Sequence, residues 1–121
     1  EGDPQLKARM RRQQKELARQ RMLHAVARAD VVVANPTHFA VALSYRQGEH
    51  PAPLVVAKGR GYLALRIRQL AADHGVPVVE EPALAQTLYK TVEVGQFIPP
   101  ELYRAVAEIL ALIWRLKGKL A

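Results

Sequence analysis

Two apolar runs separated by only four residues constrain the fold of this chain more than any other feature. The first run, residues 31–34, contains only Val and Ala, and the second, residues 39–45, alternates with a period of two. Both patterns predict β-strands. The tetrapeptide between them, residues 35–38 (Asn-Pro-Thr-His), is long enough only for a turn. We therefore expect a β-hairpin, provided that the two strands are neighbours in the sheet.

The rest of the chain predicts an α/β fold, with a small mixed four-stranded sheet flanked by about three helices and preceded by a long N-terminal linker helix. Apolar residues 54–57 and 76–79 give the third and fourth strands, and the proline in the fourth places it at a strand start or a sheet edge. These two strands are joined through a helix and should run parallel. The helices are predicted at residues 4–28, between Gly61 and Gly75, from Pro82 through Tyr89, and from Pro100 to about Lys117.

The length of the chain and its lack of cysteine limit the classes of protein to which it can belong. A chain of 121 residues is one domain that can bury a core unaided. The absence of Cys excludes disulfides, thiolate catalysis and Cys-ligated zinc. No apolar run approaches the roughly 20 residues that cross a bilayer. Because the chain opens at Glu1 rather than Met, we expect it to be a piece of a longer protein.

The positive charge is concentrated in the predicted first helix. The net charge is +7, and residues 1–28 carry +5 of it, from eight Lys/Arg and three acidic residues. A basic arm suits an anionic membrane surface, an acidic partner or a nucleic acid. No aromatic residue lies among these charges to stack on a base, so we favour a juxtamembrane or partner-facing helix and expect no nucleic acid. Its apolar residues are too sparse to face a core.

The pair Asn35-Pro36 permits an unusual backbone reaction. In ordinary Asn breakdown, the N–H of the next residue attacks the Asn side chain, but Pro36 has no N–H. The remaining route is the reverse one, in which the Asn35 side-chain nitrogen attacks its own backbone carbonyl and expels the Pro36 nitrogen. An unactivated amide is a poor nucleophile. The fold must therefore hold it in an attack geometry, which a strained tight turn can do.

Thr37 and His38 complete this motif. We assign Thr37 to shape the turn and His38 to assist proton movement, because histidine exchanges protons near neutral pH. The alternative is a plain turn, since Asn-Pro marks turns in many proteins. The predicted catalytic residues are therefore Asn35, Pro36, Thr37 and His38, acting in a single self-cleavage and not in enzymatic turnover.

Other motifs are better explained by structure than by chemistry. The segment 58–61 (Lys-Gly-Arg-Gly) resembles a phosphate cradle but lacks the third glycine of a dinucleotide site and the ending of a P-loop, so we expect turn glycines. Glu80 and Glu81 could be paired catalytic carboxylates, but we expect their negative charges to stabilise the positive N-terminal end of the helix that follows. The four histidines are not spaced to place metal ligands on one helix face. Ser44, the only serine, lies in a strand pattern, so we expect no serine nucleophile. We expect no metal and no cofactor.

The last helix is apolar over more than half of its circumference. One sheet face cannot cover such a surface. Either the helix is wrapped within the core, or it leaves an apolar groove for a partner segment. In the second case, we expect Ala107, Leu110, Ala111 and Trp114 to bind the partner. The core-facing stripe is predicted to be Leu102, Val106, Ile109, Ile113 and Leu116.

The residues around the turn resemble the FlhB/YscU family, the export-switch proteins of type III secretion systems. The resemblance covers the chain from about Gly2, and the Val-Ala-Lys-Gly run and the closing helix are more similar to the flagellar, FlhB-like branch than to the injectisome, YscU-like branch. The matching segments are residues 29–45, with the tetrapeptide, and residues 55–59, 67–68, 75–80, 84–89, 94–96 and 98–108.

This resemblance implies a cytoplasmic domain on a multi-pass protein of the bacterial inner membrane. Residues 1–28 would be the linker helix beside an anionic leaflet, and residues 29–121 the autocleaving domain. Family members cut themselves between the positions matching Asn35 and Pro36, and fragments 1–35 and 36–121 would stay associated.

The resemblance also implies a role in switching export from rod and hook subunits to filament subunits. The implied partners are export-apparatus membrane proteins, the exported subunits and a hook-length control protein. Two alternatives remain open, namely an injectisome counterpart and a non-cleaving module that docks export substrates.

Overall fold

Strands and helices alternate along the residues that the computed structural model describes, which are 2–36 and 38–120. They are α1 (Pro4–Val26), β1 (Val31–Asn35), β2 (Phe39–Ser44), β3 (Leu54–Arg60), α2 (Tyr62–Asp73), β4 (Val78–Glu80), α3 (Pro82–Thr91), a 3-10 turn (Pro100–Leu102) and α4 (Tyr103–Leu120). The four strands form one mixed sheet in the order β3-β2-β1-β4. The predicted α/β class, mixed four-stranded sheet and long first helix are therefore confirmed.

The first strand lies inside the sheet, between two partners. It pairs antiparallel with β2, where Val33 faces Val41, and parallel with β4, where Val33 faces Val79. The predicted hairpin is therefore present. Because β2 is antiparallel to both β1 and β3, β3 and β4 run in the same direction, as predicted, but lie at opposite edges of the sheet.

The third strand is longer than predicted, and the assignment of both nearby glycines to a turn was wrong. β3 continues through Arg60, and Gly59 pairs with Ala40 inside the sheet. A side chain at Gly59 would come within 2.7 Å of the Leu63 Cγ atom, so glycine is needed here because α2 approaches closely. Only Gly61, with a φ of 59°, makes the turn into the helix.

The fourth strand begins later than predicted, at Val78 rather than at residue 76. The carbonyl of Pro77 still accepts a hydrogen bond from the Val32 N–H at 2.9 Å. Proline has no N–H to contribute to a ladder, so regular pairing starts only after it. The strand lies at a sheet edge, as the proline indicated.

Apolar side chains on the two faces of the sheet form two separate cores. On one face, Val31 and Val33 pack with α3 and α4. On the other face, Val32 packs with α2 and with Val26 at the end of α1. All four valines are fully buried, and the burial of each side chain stabilises the fold by on the order of 1.5–3 kcal/mol. The segment from Val26 to β1 therefore anchors both layers.

The first helix is largely exposed, as its sparse apolar pattern predicted. Asp3 caps its N-terminus by accepting a hydrogen bond from the Gln5 N–H at 2.9 Å. Within the described ranges, no helix has the combination of length and apolarity that crossing a membrane requires. The apolar side chains that are about half exposed along α1 are Leu6, Met10 and Leu17.

The last helix confirms part of its predicted core stripe. Val106, Ile109 and Ile113 are buried, and Leu110 is buried with them. Leu116 was expected in the stripe, but it is 51% exposed. The prediction fails there because the apolar cluster beneath α4 extends only as far as Ile113.

Candidate functional site

The Asn-Pro-Thr-His turn forms the tip of the hairpin between β1 and β2. Asn35 is the last residue of β1 and pairs with Phe39, the first residue of β2. The backbone N–H of His38 donates a hydrogen bond to the Asn35 carbonyl oxygen at 3.0 Å, which closes the turn. Thr37 lies outside the described residues. The structure thus brings Asn35, Pro36 and His38 together in one hydrogen-bonded turn.

The carbonyls on either side of Asn35 are also hydrogen-bonded. The Ala34 carbonyl accepts from the backbone N–H of Glu81 at 3.0 Å, and the Pro36 carbonyl accepts from the Arg68 guanidinium at 2.7 Å. The first donor is the N-cap residue immediately before α3, and the second lies in α2. Separate elements therefore hold the backbone on both sides of the Asn35–Pro36 bond.

The exit from the turn is held by the start of α2. The His38 carbonyl accepts from the Gly61 N–H at 3.0 Å. Asn35 and Pro36 are half-buried, whereas the His38 side chain is exposed to solvent, with its ring 6.3 Å from that of Phe39. The imidazole is therefore accessible to water, while the Asn35–Pro36 bond is partly shielded.

Aromatic packing fixes the first residue of β2 behind the turn. The rings of Phe39 and Tyr89 are 4.8 Å apart. Lys58 lies 5.0 Å over the Tyr89 ring, donates to the Tyr89 carbonyl at 2.8 Å and forms an ion pair with Glu93 at 3.2 Å. These contacts occupy the lysine of the segment 58–61, so it serves to join β3 to α3 and not to cradle a phosphate.

The other sequence candidates do not assemble at the turn. Glu81 precedes α3 as its N-cap, but its side chain makes no capping hydrogen bond. Ser44 is buried at the opposite end of β2 from the turn. In the part of the chain that the structure describes, no three His, Asp or Glu side chains are grouped so as to hold a metal ion.

An open apolar groove between α4 and the connection from β2 to β3 is a second candidate site. The rings of Tyr45 and Trp114 lie across it, with their centroids 6.4 Å apart and an angle of 28° between their planes. Of the predicted partner-binding residues, Ala107, Leu110 and Trp114 line the groove. Ala111 is exposed but does not line it. Trp114 is 47% exposed, so the groove presents a large aromatic surface.

Sequence reasoning missed Arg68, which contacts the turn directly. It lies 32 residues beyond Pro36, and no local pattern connects the two. Its sequence signals are its place in the matching segment 67–68, to which no role was assigned, and its position beside Ile67, which is fully buried. That position places Arg68 at the edge of the apolar face of α2, close to the sheet.

Comparison with known proteins gives matches over most of the chain. A family model described as the FlhB HrpN YscU SpaS family matches residues 1–113. The flagellar biosynthetic protein FlhB of Yersinia enterocolitica is 55% identical over 97% of this chain, and that of Salmonella typhimurium is 53% identical over 97%. The chain spans 30% of the length of each of these relatives.

A crystal structure of related fold supports the same grouping. The cytoplasmic domain of FlhB from Shewanella putrefaciens has a TM-score of 0.80 and 38% sequence identity. The superposition covers 84% of this chain and 78% of that one. The two folds are therefore alike over most of both chains.

Proposed function

This chain belongs to the FlhB HrpN YscU SpaS family, and we propose that it is the self-cleaving cytoplasmic domain of a flagellar type III export gate protein. The observation that carries the proposal is the 3.0 Å hydrogen bond from the His38 N–H to the Asn35 carbonyl. It holds the carbonyl of an Asn-Pro pair at a hairpin tip whose backbone is anchored on both sides. A carbonyl held in this way supports attack by the side chain of the same residue, since a fixed electrophile removes part of the entropic cost of the reaction.

In the proposed step, the Asn35 side-chain nitrogen forms a bond to the carbonyl carbon of the same residue. The bond from that carbon to the Pro36 nitrogen breaks, and the proton lost by the attacking amide ends on that nitrogen. Residue 35 becomes a cyclic imide, and Pro36 becomes the new N-terminus. The two products together keep every atom of the chain until water opens the imide.

His38 supports this step in two separate ways. Its backbone N–H stabilises the negative charge that develops on the Asn35 carbonyl oxygen during attack. Its imidazole, exposed beside the turn, helps to move the proton from the amide to the leaving nitrogen. Thr37, which lies outside the described residues, keeps its predicted role of shaping the turn.

The two fragments stay associated after cleavage. Fragment 1–35 ends with β1, which lies between β2 and β4 of fragment 36–121. The hydrogen bonds of both ladders and the buried valines of β1 do not depend on the Asn35–Pro36 bond. Each chain cuts itself once, so the protein is not a turnover enzyme, and its first partner is its own cleaved fragment.

In the cell, we assign this domain to the cytoplasmic face of the bacterial inner membrane, where the basic α1 lies near anionic lipids. Cleavage lets the export gate change from rod and hook subunits to filament subunits. Its partners are then the membrane proteins of the export apparatus, the exported subunits and a hook-length control protein. The 55% identity with a flagellar relative favours this assignment over an injectisome counterpart.

A comparison of wild-type protein with Asn35→Ala tests the cleavage. We expect wild type to give two bands on a denaturing gel and one species on size exclusion. Asn35→Ala should give one band and elute at the same volume. Cleavage of the variant at this bond would refute the mechanism, because the variant has no side-chain nitrogen to attack.

A second function, docking of exported subunits, is favoured by the aromatic groove. The side chains of Tyr103 and Trp114 are 44% and 47% exposed. Tyr and Trp are enriched among the residues that dominate binding energies, so their exposure here suits a binding surface. We propose that an apolar segment of an exported subunit binds there. The groove belongs wholly to fragment 36–121, so docking does not require an uncut turn.

A further inference from the structure

We infer that Arg68 is a positioning residue for cleavage between Asn35 and Pro36. Its Nη1 atom lies 2.7 Å from the Pro36 carbonyl oxygen, the first carbonyl beyond the bond that breaks. This inference rests on the proposed self-cleavage, and it assigns a role to a residue on a different element, 32 residues further along the chain.

The contact removes the last rotation available to Pro36. The pyrrolidine ring fixes φ, so only ψ can still turn, and ψ sets the direction of the Pro36 carbonyl. A hydrogen bond to that carbonyl therefore fixes the whole residue. On the other side, Asn35 is held by its pairing with Phe39 and by the Ala34 carbonyl bond to Glu81. The breaking bond is thus clamped between two anchors.

The side chain and its helix are suited to this task. The Arg68 contact is partly buried and charge-assisted, which makes it shorter and stronger than a bond between neutral groups. The helix that carries it is fixed against the sheet, because Ile67 is fully buried and Gly59 allows Leu63 to approach the strand closely. Arg68 therefore transmits the position of α2 to the turn.

Arg68 does not take or give the proton in the reaction. A guanidinium has no acceptor and keeps its proton in proteins, so its effect acts through the position of Pro36. Near-attack geometry is sensitive to such positions, and a displacement of about 1 Å costs on the order of 100-fold in rate. Loss of this contact should therefore slow cleavage and leave the fold in place.

The test follows the cleavage rate of freshly synthesised 121-residue chain by intact mass. Arg68→Gln should cut about 10- to 100-fold more slowly than wild type. Arg68→Lys, which retains a charged donor, should recover part of the rate. Arg66→Gln is the matched control, because it removes the same charge from an exposed position on the same helix, and it should cut at the wild-type rate.

A second readout separates positioning from a merely structural role. Thermal unfolding midpoints are measured in an Asn35→Ala background, so that cleavage does not confound them. The midpoints of the Arg68 variants should lie close to that of the Asn35→Ala parent. Free guanidinium should restore part of the cleavage rate of Arg68→Ala at concentrations well below those that denature proteins. The same concentration of NaCl should not.

Several results would overturn the inference. Arg68→Gln and Arg68→Ala cutting at the wild-type rate would remove Arg68 from the reaction while self-cleavage stands. A fall in thermal midpoint that parallels the fall in rate, with no rescue by guanidinium, would make the arginine only structural. A wild-type chain that stays uncut would instead end the proposed function, and this inference with it.

Discussion

The backbone N–H of His38 and the carbonyl oxygen of Asn35 lie 3.0 Å apart across the hairpin turn. The same residue thus supplies a backbone donor inside the turn and an imidazole outside it. The donor belongs to the backbone and survives any substitution except proline. The two contributions of His38 can therefore be separated by mutation.

His38→Ala keeps the backbone donor and removes the imidazole. We expect cleavage to slow by about 100-fold or more without stopping, because general acid–base assistance typically contributes about 100- to 10,000-fold and the backbone donor is retained. The rate is measured by intact mass between about pH 5 and about pH 9, a range that includes the neutral pH at which histidine side chains act in proton transfer. Equal rates for both proteins across this range would remove the imidazole from the mechanism.

Cleavage should make thermal stability depend on protein concentration. In the cut protein, unfolding releases fragment 1–35 from fragment 36–121, so association contributes to the midpoint by mass action. We expect the midpoint of cut wild type to rise with concentration and that of Asn35→Ala to stay constant. Calorimetry at several concentrations measures this, and a constant midpoint for cut wild type would show that the fragments do not separate on unfolding.

Gly59→Ala should destabilise the protein by about 1–3 kcal/mol, the usual cost of overpacking. The added methyl would meet the Leu63 Cγ atom at 2.7 Å and its backbone carbonyl carbon at 3.1 Å. Gly118→Ala is the control, because its methyl meets no atom within 4 Å, and it should leave stability unchanged or raise it by up to about 1 kcal/mol. Urea titrations of both variants check this, and equal midpoints would refute the packing argument.

Trp114→Ala should weaken docking of an apolar peptide from an exported hook subunit by about 10-fold or more, since an exposed aromatic side chain in a groove is a typical hot spot. Leu112→Ala is the control, because Leu112 is exposed to a similar degree but lies outside the groove. Fluorescence titrations give the affinities. Equal weakening by both variants would argue against the groove as the binding site.

The sequence was sufficient to predict the hairpin, the helices and the class of the sheet. Period-two and period-3.6 patterns are local, and so are the proline at the start of α3 and the glycine after α2. Two of the errors occurred where a distant partner decided the outcome. β3 extends to Arg60 because Phe39 pairs with it, and Leu116 is exposed because no core lies beneath it.

The residues of the candidate site also fall into two groups, those that local sequence predicts and those that only the folded structure brings together. Asn35, Pro36 and His38 are adjacent, and the chemistry of an Asn-Pro pair is visible in the residues themselves. The donors that hold the turn come from Gly61, Arg68 and Glu81, and two of them act through backbone N–H groups that carry no side-chain signature. Such contacts emerge only once the sheet and α2 are in place.

Intact mass of freshly folded and aged wild-type protein tests the central claim most directly. The account predicts fragments 1–35 and 36–121, with masses that at first sum to that of the intact chain, because the cyclic imide retains every atom. Fragment 1–35 should then gain the mass of one water as the imide opens. A single uncut mass in aged, folded wild-type protein would contradict the account.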